Sequence, residues 1–115
     1  MKYILLIYGS EAEMAKRSPG QMGAMLKEYG VFTESIRQNG NFLGGERLQL
    51  ASTATTVRVR EGKTLSSDGP FAETKEHLGG FYLIEAKDLD EATAIAARIP
   101  GAHYGCVEVR PIHAM

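Results

Sequence analysis

An acidic segment near the middle of the chain contains the residue types that acid–base chemistry needs. Residues 67–76, SDGPFAETKE, combine a Gly-Pro turn with carboxylates and a lysine, and no strand or helix pattern accounts for them. Close carboxylates cannot all ionise cheaply, so one can remain an acid while another serves as a base. Asp68 and Glu73 are therefore candidate catalytic residues, and His77, directly after the segment, is a third.

A structural role for the same segment is the alternative. Asp68 can hydrogen-bond forward onto its own backbone, while Pro70 fixes its own φ and keeps the residue before it out of the helical region. This predicts a stiff, exposed corner followed by a solvated loop, on which His77 is an exposed histidine. Both interpretations put the segment at the surface, and they differ in whether its side chains converge.

Several further side chains could hold a small anionic or polar ligand. Strand alternation separates Arg58 from its apolar neighbours and puts Arg110 on the same face of the last strand as Glu108. The candidate binding residues are Arg58, Lys75, Tyr82 and Arg110. Solvation, or pairing across strands, would explain the charged ones equally well.

Composition limits the class of protein and of partner. The chain has 115 residues, and we expect one domain over residues 1–115. A formal net charge of -1 with dispersed basic residues argues against nucleic acid as a partner. The apolar run at residues 3–8 is too short for a secretion signal or a membrane span, and a single cysteine fits a cytoplasmic protein.

No metal or organic cofactor is expected. His77, His103 and His113 lack the short spacing of metal ligands, and the paired glycines match neither a dinucleotide-binding fingerprint nor a P-loop. Cys106 has no cysteine partner, and its position in a predicted strand indicates an inert, partly buried thiol.

Hydrophobic spacing predicts the strands that position these residues. Residues 3–8 and 80–85 are apolar on both faces, which is typical of central strands. Residues 56–60 alternate and turn back at Glu61-Gly62, which predicts a hairpin. The last strand is predicted over residues 105–110.

Capping signals predict the helices. Ser18 and Pro19 are a favourable N-cap and first residue for a helix that Gly40 ends in a left-handed conformation. Asp88 and Glu91 predict a capping box at the start of a second helix.

The resulting order, β-α-β-β-α-β with a hairpin inserted before the third core strand, predicts an α+β, ferredoxin-like sheet with both helices on one face. The other face would be bare, although the central strands are apolar on both sides. A second copy of the chain is the simplest cover for that face. We therefore expect a homodimer with its sheets packed face to face.

Three stretches carry a resemblance to a known family: residues 68–76 (DGPFAETKE), residues 78–82 (LGGFY) and residues 107–111 (VEVRP). The chain resembles the DGPF-type branch of the YCII-related family over nearly its whole length. The resemblance implies a ferredoxin-like fold assembled as a dimeric α/β barrel, in a small bacterial protein whose role is mostly unassigned. Some relatives look linked to extracytoplasmic-function sigma factors.

In the wider family, a histidine near the start of the first helix and an aspartate on the following strand look like a catalytic pair. This chain has neither, since its first long helix carries Gln21 and Glu28, and the following strand carries Gly44-Gly45-Glu46. The resemblance therefore transfers only the motif around Asp68 as a site.

Two functions are consistent with these residues. One is a cofactor-independent lyase, isomerase or hydrolase for a small polar or anionic molecule, with Asp68 or Glu73 as the acid or base. The other is a non-catalytic module that binds a metabolite or a protein partner. A regulatory role linked to a sigma factor belongs to this second function. A purely structural motif at the dimer interface is the third alternative.

Overall fold

The computed structural model of the chain describes residues 1–114. Its strands are β1 (Lys2–Gly9), β2 (Phe42–Arg47), β3 (Thr55–Arg60), β4 (Lys63–Asp68), β5 (His77–Glu85) and β6 (Cys106–Pro111). Its α-helices are α1 (Glu11–Met14), α2 (Pro19–Gln38) and α3 (Leu89–Ala97), and short 3₁₀ turns lie at Ala51–Thr53 and Pro100–His103.

The main sheet is four-stranded, with the order β2-β5-β1-β6. Every neighbouring pair in it is antiparallel, and β1 and β5 are the central strands. With α2 and α3 as the connecting helices, this is the ferredoxin-like arrangement that the sequence predicts. The α+β fold class and the central position of residues 3–8 and 80–85 are thereby confirmed.

Helix α2 begins where its capping signals predict. The Ser18 hydroxyl accepts a hydrogen bond from the Gln21 backbone N–H at 3.1 Å, and the Gln21 side chain accepts one from the Ser18 N–H at 2.8 Å. This reciprocal capping box satisfies donors that the first helical turn leaves free. Beyond the helix, Gly40 has a φ of 80°, a left-handed conformation that glycine adopts without strain.

The start of α3 differs in part from the prediction. Asp88 is the N-cap and accepts from the Glu91 N–H at 2.9 Å. The Glu91 carboxylate, however, accepts from the Lys87 N–H and from the Asn41 side chain, so the second half of a capping box is replaced by a link to the end of α2. The sequence pattern predicts that the Glu91 carboxylate accepts from the Asp88 N–H, but this carboxylate makes a tertiary contact with Asn41 instead.

The hydrophobic core lies between one face of the sheet and the two long helices. Tyr3, Leu5 and Ile84 enter it from the central strands, where each has at most 2% of its surface exposed. Helices α2 and α3 add the remaining core side chains, with Phe32 and Ile36 from the first and Ala92, Ile95 and Ala96 from the second. Burial of this single apolar face is what holds the helices on the sheet.

The opposite face of the sheet, which we call the open face, is also apolar. Strand alternation places Ile4, Leu6, Phe81 and Leu83 on it, with Leu6 opposite Phe81 and Ile4 opposite Leu83. No long helix covers these half-buried side chains within residues 1–114. The smallest dimension of the chain is 18 Å, which corresponds to one sheet and one layer of helices.

Strands β3 and β4 form the predicted hairpin as a separate two-stranded sheet. Glu61 and Gly62 make its turn with φ values of 52° and 75°, the left-handed pair that a tight hairpin needs. Val57 and Val59 remain 60% and 59% exposed, so the hairpin projects from the body. The radius of gyration of 16.1 Å exceeds the value of about 13 Å expected for a compact domain of this length.

No helix within residues 1–114 is both long and apolar enough to cross a lipid bilayer.

The core and the exposed face of α2 should respond differently to truncation. Replacing Ile36, which is fully buried, by Ala should lower the free energy of unfolding by about 2–5 kcal/mol through lost apolar burial and a residual cavity. Replacing Val31, which is 73% exposed on the same helix, by Ala should change it by less than about 0.5 kcal/mol. Urea denaturation at matched protein concentration would measure both, and equal effects would contradict this assignment of the core.

Candidate functional site

A histidine and a carboxylate meet at one end of the sheet. His77 is the first residue of β5 and pairs with Gly9, the last residue of β1. Glu11, in the short helix that follows β1, places its Oε1 atom 3.8 Å from Nδ1 of His77. About a quarter of each side chain is exposed, 25% for His77 and 24% for Glu11. The pair is therefore sheltered but still reachable from solvent.

His77 Nδ1 is buried and has no hydrogen-bond partner within residues 1–114. Buried polar atoms are normally satisfied, so this orphan nitrogen is an exception that calls for a ligand, a water or a movement of its neighbour. Glu11 is the nearest acidic group, at a distance slightly longer than a hydrogen bond. Catalytic hydrogen bonds are often this long in unliganded proteins and tighten when a substrate binds.

Backbone contacts hold Glu11 in place. Ser10 caps helix α1, with its hydroxyl accepting from the Glu13 N–H at 3.2 Å. The second Glu11 oxygen, Oε2, accepts from the Ala51 N–H at 2.8 Å. Glu11 thus links the end of β1 to the 3₁₀ turn before the hairpin, and one oxygen is left to face His77.

The sequence prediction missed Glu11 and placed His77 on a loop. In the structure His77 opens a strand that is longer than the predicted residues 80–85, because β5 continues past a bulge in its pairing with β1. The local signal for Glu11 was available: Ser10 followed three residues later by Glu13 is a helix-start pattern. Only the tertiary fold brings Glu11 to His77.

The structure does not bring the predicted acids of the motif together. Asp68 is the last residue of β4 and pairs with Thr55 across the hairpin. Glu73 lies on the exposed loop between β4 and β5. Within residues 1–114 no ion pair or side-chain hydrogen bond joins either acid to His77 or to Lys75. Their predicted catalytic role stays a prediction.

The predicted binding residues lie on separate surfaces. Arg58 lies on the projecting hairpin, and Lys75 is exposed on the loop before β5. Arg110 forms an ion pair with Glu108, and both fall on the open face, since they lie opposite Ile4 and Leu6.

Tyr82, the remaining predicted binding residue, lies on the helix-facing side of the sheet. Its hydroxyl is 2.7 Å from the Thr33 hydroxyl, and its ring packs edge-on against Phe32 and Phe42. Within a single chain, Tyr82 therefore connects the sheet to α2.

The exposure of Cys106 differs from the prediction. Cys106 lies in a strand as predicted, but it is exposed and not partly buried, because β6 is an edge strand and Cys106 is its first residue.

Gly105, immediately before Cys106, has no room for a side chain. A Cβ there would overlap the Tyr8 carbonyl oxygen and come within 3.0 Å of Glu76 Oε2. Close approach of backbone requires glycine at this position.

Burial perturbs two tyrosines on the helix-facing side. It raises the pKa of Tyr29 above the usual value, although the hydrogen bond from the Gly101 N–H and the charges of Arg17 and Arg47 oppose the change. Burial likewise raises the pKa of Tyr82, and the hydrogen bond with Thr33 lowers it by a smaller amount. Both phenols therefore stay protonated to higher pH than free tyrosine.

Within residues 1–114, no group of three or more histidine, cysteine, aspartate or glutamate side chains is arranged to hold a metal ion. The chemistry that the His77–Glu11 pair offers is proton transfer. An imidazole can accept or donate a proton near neutral pH, and an adjacent carboxylate stabilises its protonated form.

Comparison with known proteins gives a family match. A family model described as the YCII-related domain matches residues 1–115. An uncharacterized protein of Rhizobium meliloti (strain 1021) is 35% identical over 114 residues, which cover 97% of this chain and 92% of that protein.

The comparison also found one similar solved structure. It is 5-chloro-2-hydroxyhydroquinone dehydrochlorinase from Burkholderia phenoliruptrix AC1100 in complex with 2,5-dihydroxybenzoquinone. The similarity covers 98% of this chain and 94% of that one, with a TM-score of 0.49 and 14% sequence identity.

The partly buried phenols should be visible in a pH titration. Tyr29 and Tyr82 should ionise above pH 10, where free tyrosine titrates, and replacing either by Phe should remove one late step from the ultraviolet phenolate signal. Because the folded state holds these protons more tightly, the stabilisation is complete below about pH 10 and is lost as pH rises through the folded pKa.

Tyr104→Phe is the control for this titration, since Tyr104 is 65% exposed. It should leave the late steps in place. A titration in which Tyr29→Phe and Tyr82→Phe remove no late-ionising group would contradict the burial of these phenols.

Proposed function

The chain belongs to the YCII-related family, and we propose that it is a cofactor-independent acid–base enzyme, of the lyase, isomerase or hydrolase type, acting on a small polar or anionic molecule. His77 is the group that moves the proton, and Glu11 is its carboxylate partner. Asp68 and Glu73 remain predicted contributors from the neighbouring motif, which we assign to the DGPF-type branch of the family.

One observation carries this proposal. Within residues 1–114, His77 has a buried ring nitrogen without a hydrogen-bond partner. A Glu11 carboxylate oxygen lies 3.8 Å from it, and the other oxygen of that carboxylate accepts from a backbone N–H. A histidine with only a packing role would be satisfied by its surroundings. A histidine that must accept a proton benefits from a nearby carboxylate that is not otherwise neutralised.

The roles follow from the chemistry of the two groups. With Nδ1 oriented toward Glu11, the other ring nitrogen, Nε2, takes a proton from a carbon or oxygen of the substrate. The resulting imidazolium is stabilised by the Glu11 carboxylate, and it returns the proton to the intermediate or to the leaving group. Glu11 is thus a positioning residue, and it keeps its own negative charge throughout.

The working unit is proposed to be a homodimer joined through the open face. In the part of the chain that the structure describes, no helix covers Ile4, Leu6, Phe81 and Leu83 on that face. An apolar surface of this kind is a liability on an isolated chain. Two copies related by a two-fold axis would each bury the same surface. Face-to-face sheets are spaced by about 10 Å, which suits interdigitated side chains of this size.

A binding module is the second candidate. It would use the same site to sense a metabolite or to dock a protein partner, a sigma factor among the possibilities, and would produce no product. The exposed hairpin, with Val57 and Val59 facing solvent, is the observation that favours a protein partner. A cytoplasmic location fits either candidate.

The dimer can be tested on the open face itself. Leu6→Glu places a charge at its centre and should raise the dissociation constant of the dimer by at least about a hundredfold, because the carboxylate must be desolvated. Val31→Glu introduces the same charge on the exposed surface of α2 and should leave the dimer intact. Sedimentation velocity would measure both. A monomeric wild-type chain, or a Leu6→Glu variant that dimerises normally, would rule out this interface.

The acid–base role can be tested without knowing the product. A panel of small polar and anionic molecules in deuterated water would be followed by NMR for consumption or for exchange of carbon-bound protons. His77→Gln should lower the rate on any active compound by about 10²–10⁴-fold, and Glu11→Gln should lower it less, since the imidazole remains. His103→Gln, a change at an exposed histidine, should keep the wild-type rate.

The same assay separates the alternatives. Loss of activity in Asp68→Asn with retained folding would assign part of the chemistry to the motif. Ligand-induced thermal stabilisation with neither consumption nor exchange would favour the binding module. Full activity in His77→Gln would refute the proposed role of His77.

A further inference from the structure

The β3–β4 hairpin and the loop that follows it expose a large apolar surface. Val57 and Val59 are 60% and 59% exposed, and Phe71, in the loop, is 78% exposed. The two valines lie on the same face of β3, and alternation turns Arg58, which lies between them, to the opposite face. We call residues 55–71 the arm and the side of it that carries the two valines the valine face.

The arm has little support from its own chain. Strands β3 and β4 pair with each other and, within residues 1–114, make only slight contact with any other helix or strand. Almost every residue of the two strands is exposed. A lone two-stranded hairpin is at best marginally stable in water, and a further strand or a packed surface is needed to stabilise it. The arm therefore requires a surface outside its own chain.

The base of the arm is held by hydrogen bonds. The Gly69 N–H donates to the Ala54 carbonyl oxygen at 2.7 Å, and the Thr56 hydroxyl donates to the Gly69 carbonyl oxygen at 2.8 Å. Just before β3, the Ala51 N–H donates to Glu11, the carboxylate of the candidate site. The arm is thus fixed at its base beside the candidate site, so the body of the chain sets its direction.

The arm extends in the plane of the sheet. The chain measures 47 × 43 × 18 Å, and its smallest dimension corresponds to one sheet and one layer of helices. An arm that rose from the open face would increase that smallest dimension. Both longer dimensions instead exceed the width of about 34 Å that a compact domain of this length would have. Strands of six residues, about 20 Å long, account for this excess.

The open face by itself is small for a stable dimer. Four strands about 4.8 Å apart and about 20 Å long outline about 400 Å², whereas a standard specific interface buries about 800 Å² on each partner. The valine face outlines about 200 Å² more. If each arm lies on the other copy, each copy buries its own valine face and an equal area under the partner's arm. The buried area then reaches about 800 Å² per copy.

We propose that the arm packs its valine face on a second copy of the chain, beside the open face, so that two arms related by a two-fold axis each cover part of the other copy. Phe71, at the base of the arm, joins this contact, since aromatic side chains are enriched in the cores of protein interfaces. The proposal rests on the proposed function in one respect, the homodimer through the open face. It does not depend on the role of His77.

Substitutions on the valine face test its contribution to the dimer. Val57→Thr combined with Val59→Thr keeps β-branched side chains but makes this face polar. It should raise the dissociation constant of the dimer at least about tenfold, because both copies lose apolar groups from the interface. Phe71→Ala should raise it by a similar factor, and it guards against threonine variants in which the hairpin no longer forms. Sedimentation velocity would measure these constants.

Arg60→Gln is the matched control, because Arg60 follows Val59 on the same strand and points to the opposite face. It should change the dissociation constant by less than about threefold, as expected for an exposed charge. A spin label then locates the arm: Lys63→Cys, at the hairpin tip of a Cys106→Ser chain, would carry the label and be mixed with ¹⁵N-labelled wild-type chain. In mixed dimers, amide resonances of the wild-type copy outside residues 55–71 should broaden.

The outcomes separate this inference from the proposed function. Dimers that form normally in the valine and Phe71 variants, or mixed dimers without broadening, would refute the arm contact and keep a dimer through the open face. A monomeric wild-type chain would refute both. Valine variants that dimerise normally but no longer bind another protein would assign the arm to that partner and overturn the inference. His77→Gln should dimerise as the wild type does, so failure of the acid–base role leaves this result unchanged.

Discussion

A sheet that is apolar on both faces, but that residues 1–114 cover on only one, is the constraint on which the rest of this structure depends. Strands β1 and β5 send Leu5 and Ile84 into the core under the helices, and their alternate residues Leu6 and Phe81 to the open face. The helices cover one of these two apolar faces. The proposed homodimer would cover the open face, so the same strands that build the domain would also form the surface between the two copies.

The candidate site lies at one end of this sheet, where His77 pairs with Gly9. Gly80 and Gly101 lie nearby at close contacts, since a Cβ on Gly80 would lie 2.9 Å from the Glu46 carbonyl oxygen and one on Gly101 2.6 Å from the Tyr29 oxygen. The polar groups of the candidate site, His77 and Glu11, lie at the strand ends and outside the core. Chemistry and stability are in this way assigned to different ends of the same strands.

Sequence reasoning succeeded where structure is local. The cap at Ser18, the left-handed Gly40 and the hairpin turn at Glu61-Gly62 each depend on residues a few positions apart, and each is found as predicted. It succeeded again for strand order, because runs apolar on both faces must be central. It was wrong about the exposure of Cys106, the length of β5 and the hydrogen-bond partner of the Glu91 carboxylate. Residues distant in sequence decide exposure and hydrogen bonding at these positions.

The sequence by itself determined the ferredoxin-like order of elements, the inserted hairpin and His77 as a residue worth testing, since periodicity, caps and turn residues act over short distances. Only the tertiary structure decided which residues share a site. Glu11 and His77 are far apart in the chain and meet because β1 and β5 are antiparallel neighbours. No local pattern encodes such a pairing, because it follows from the register of strands that are distant in sequence.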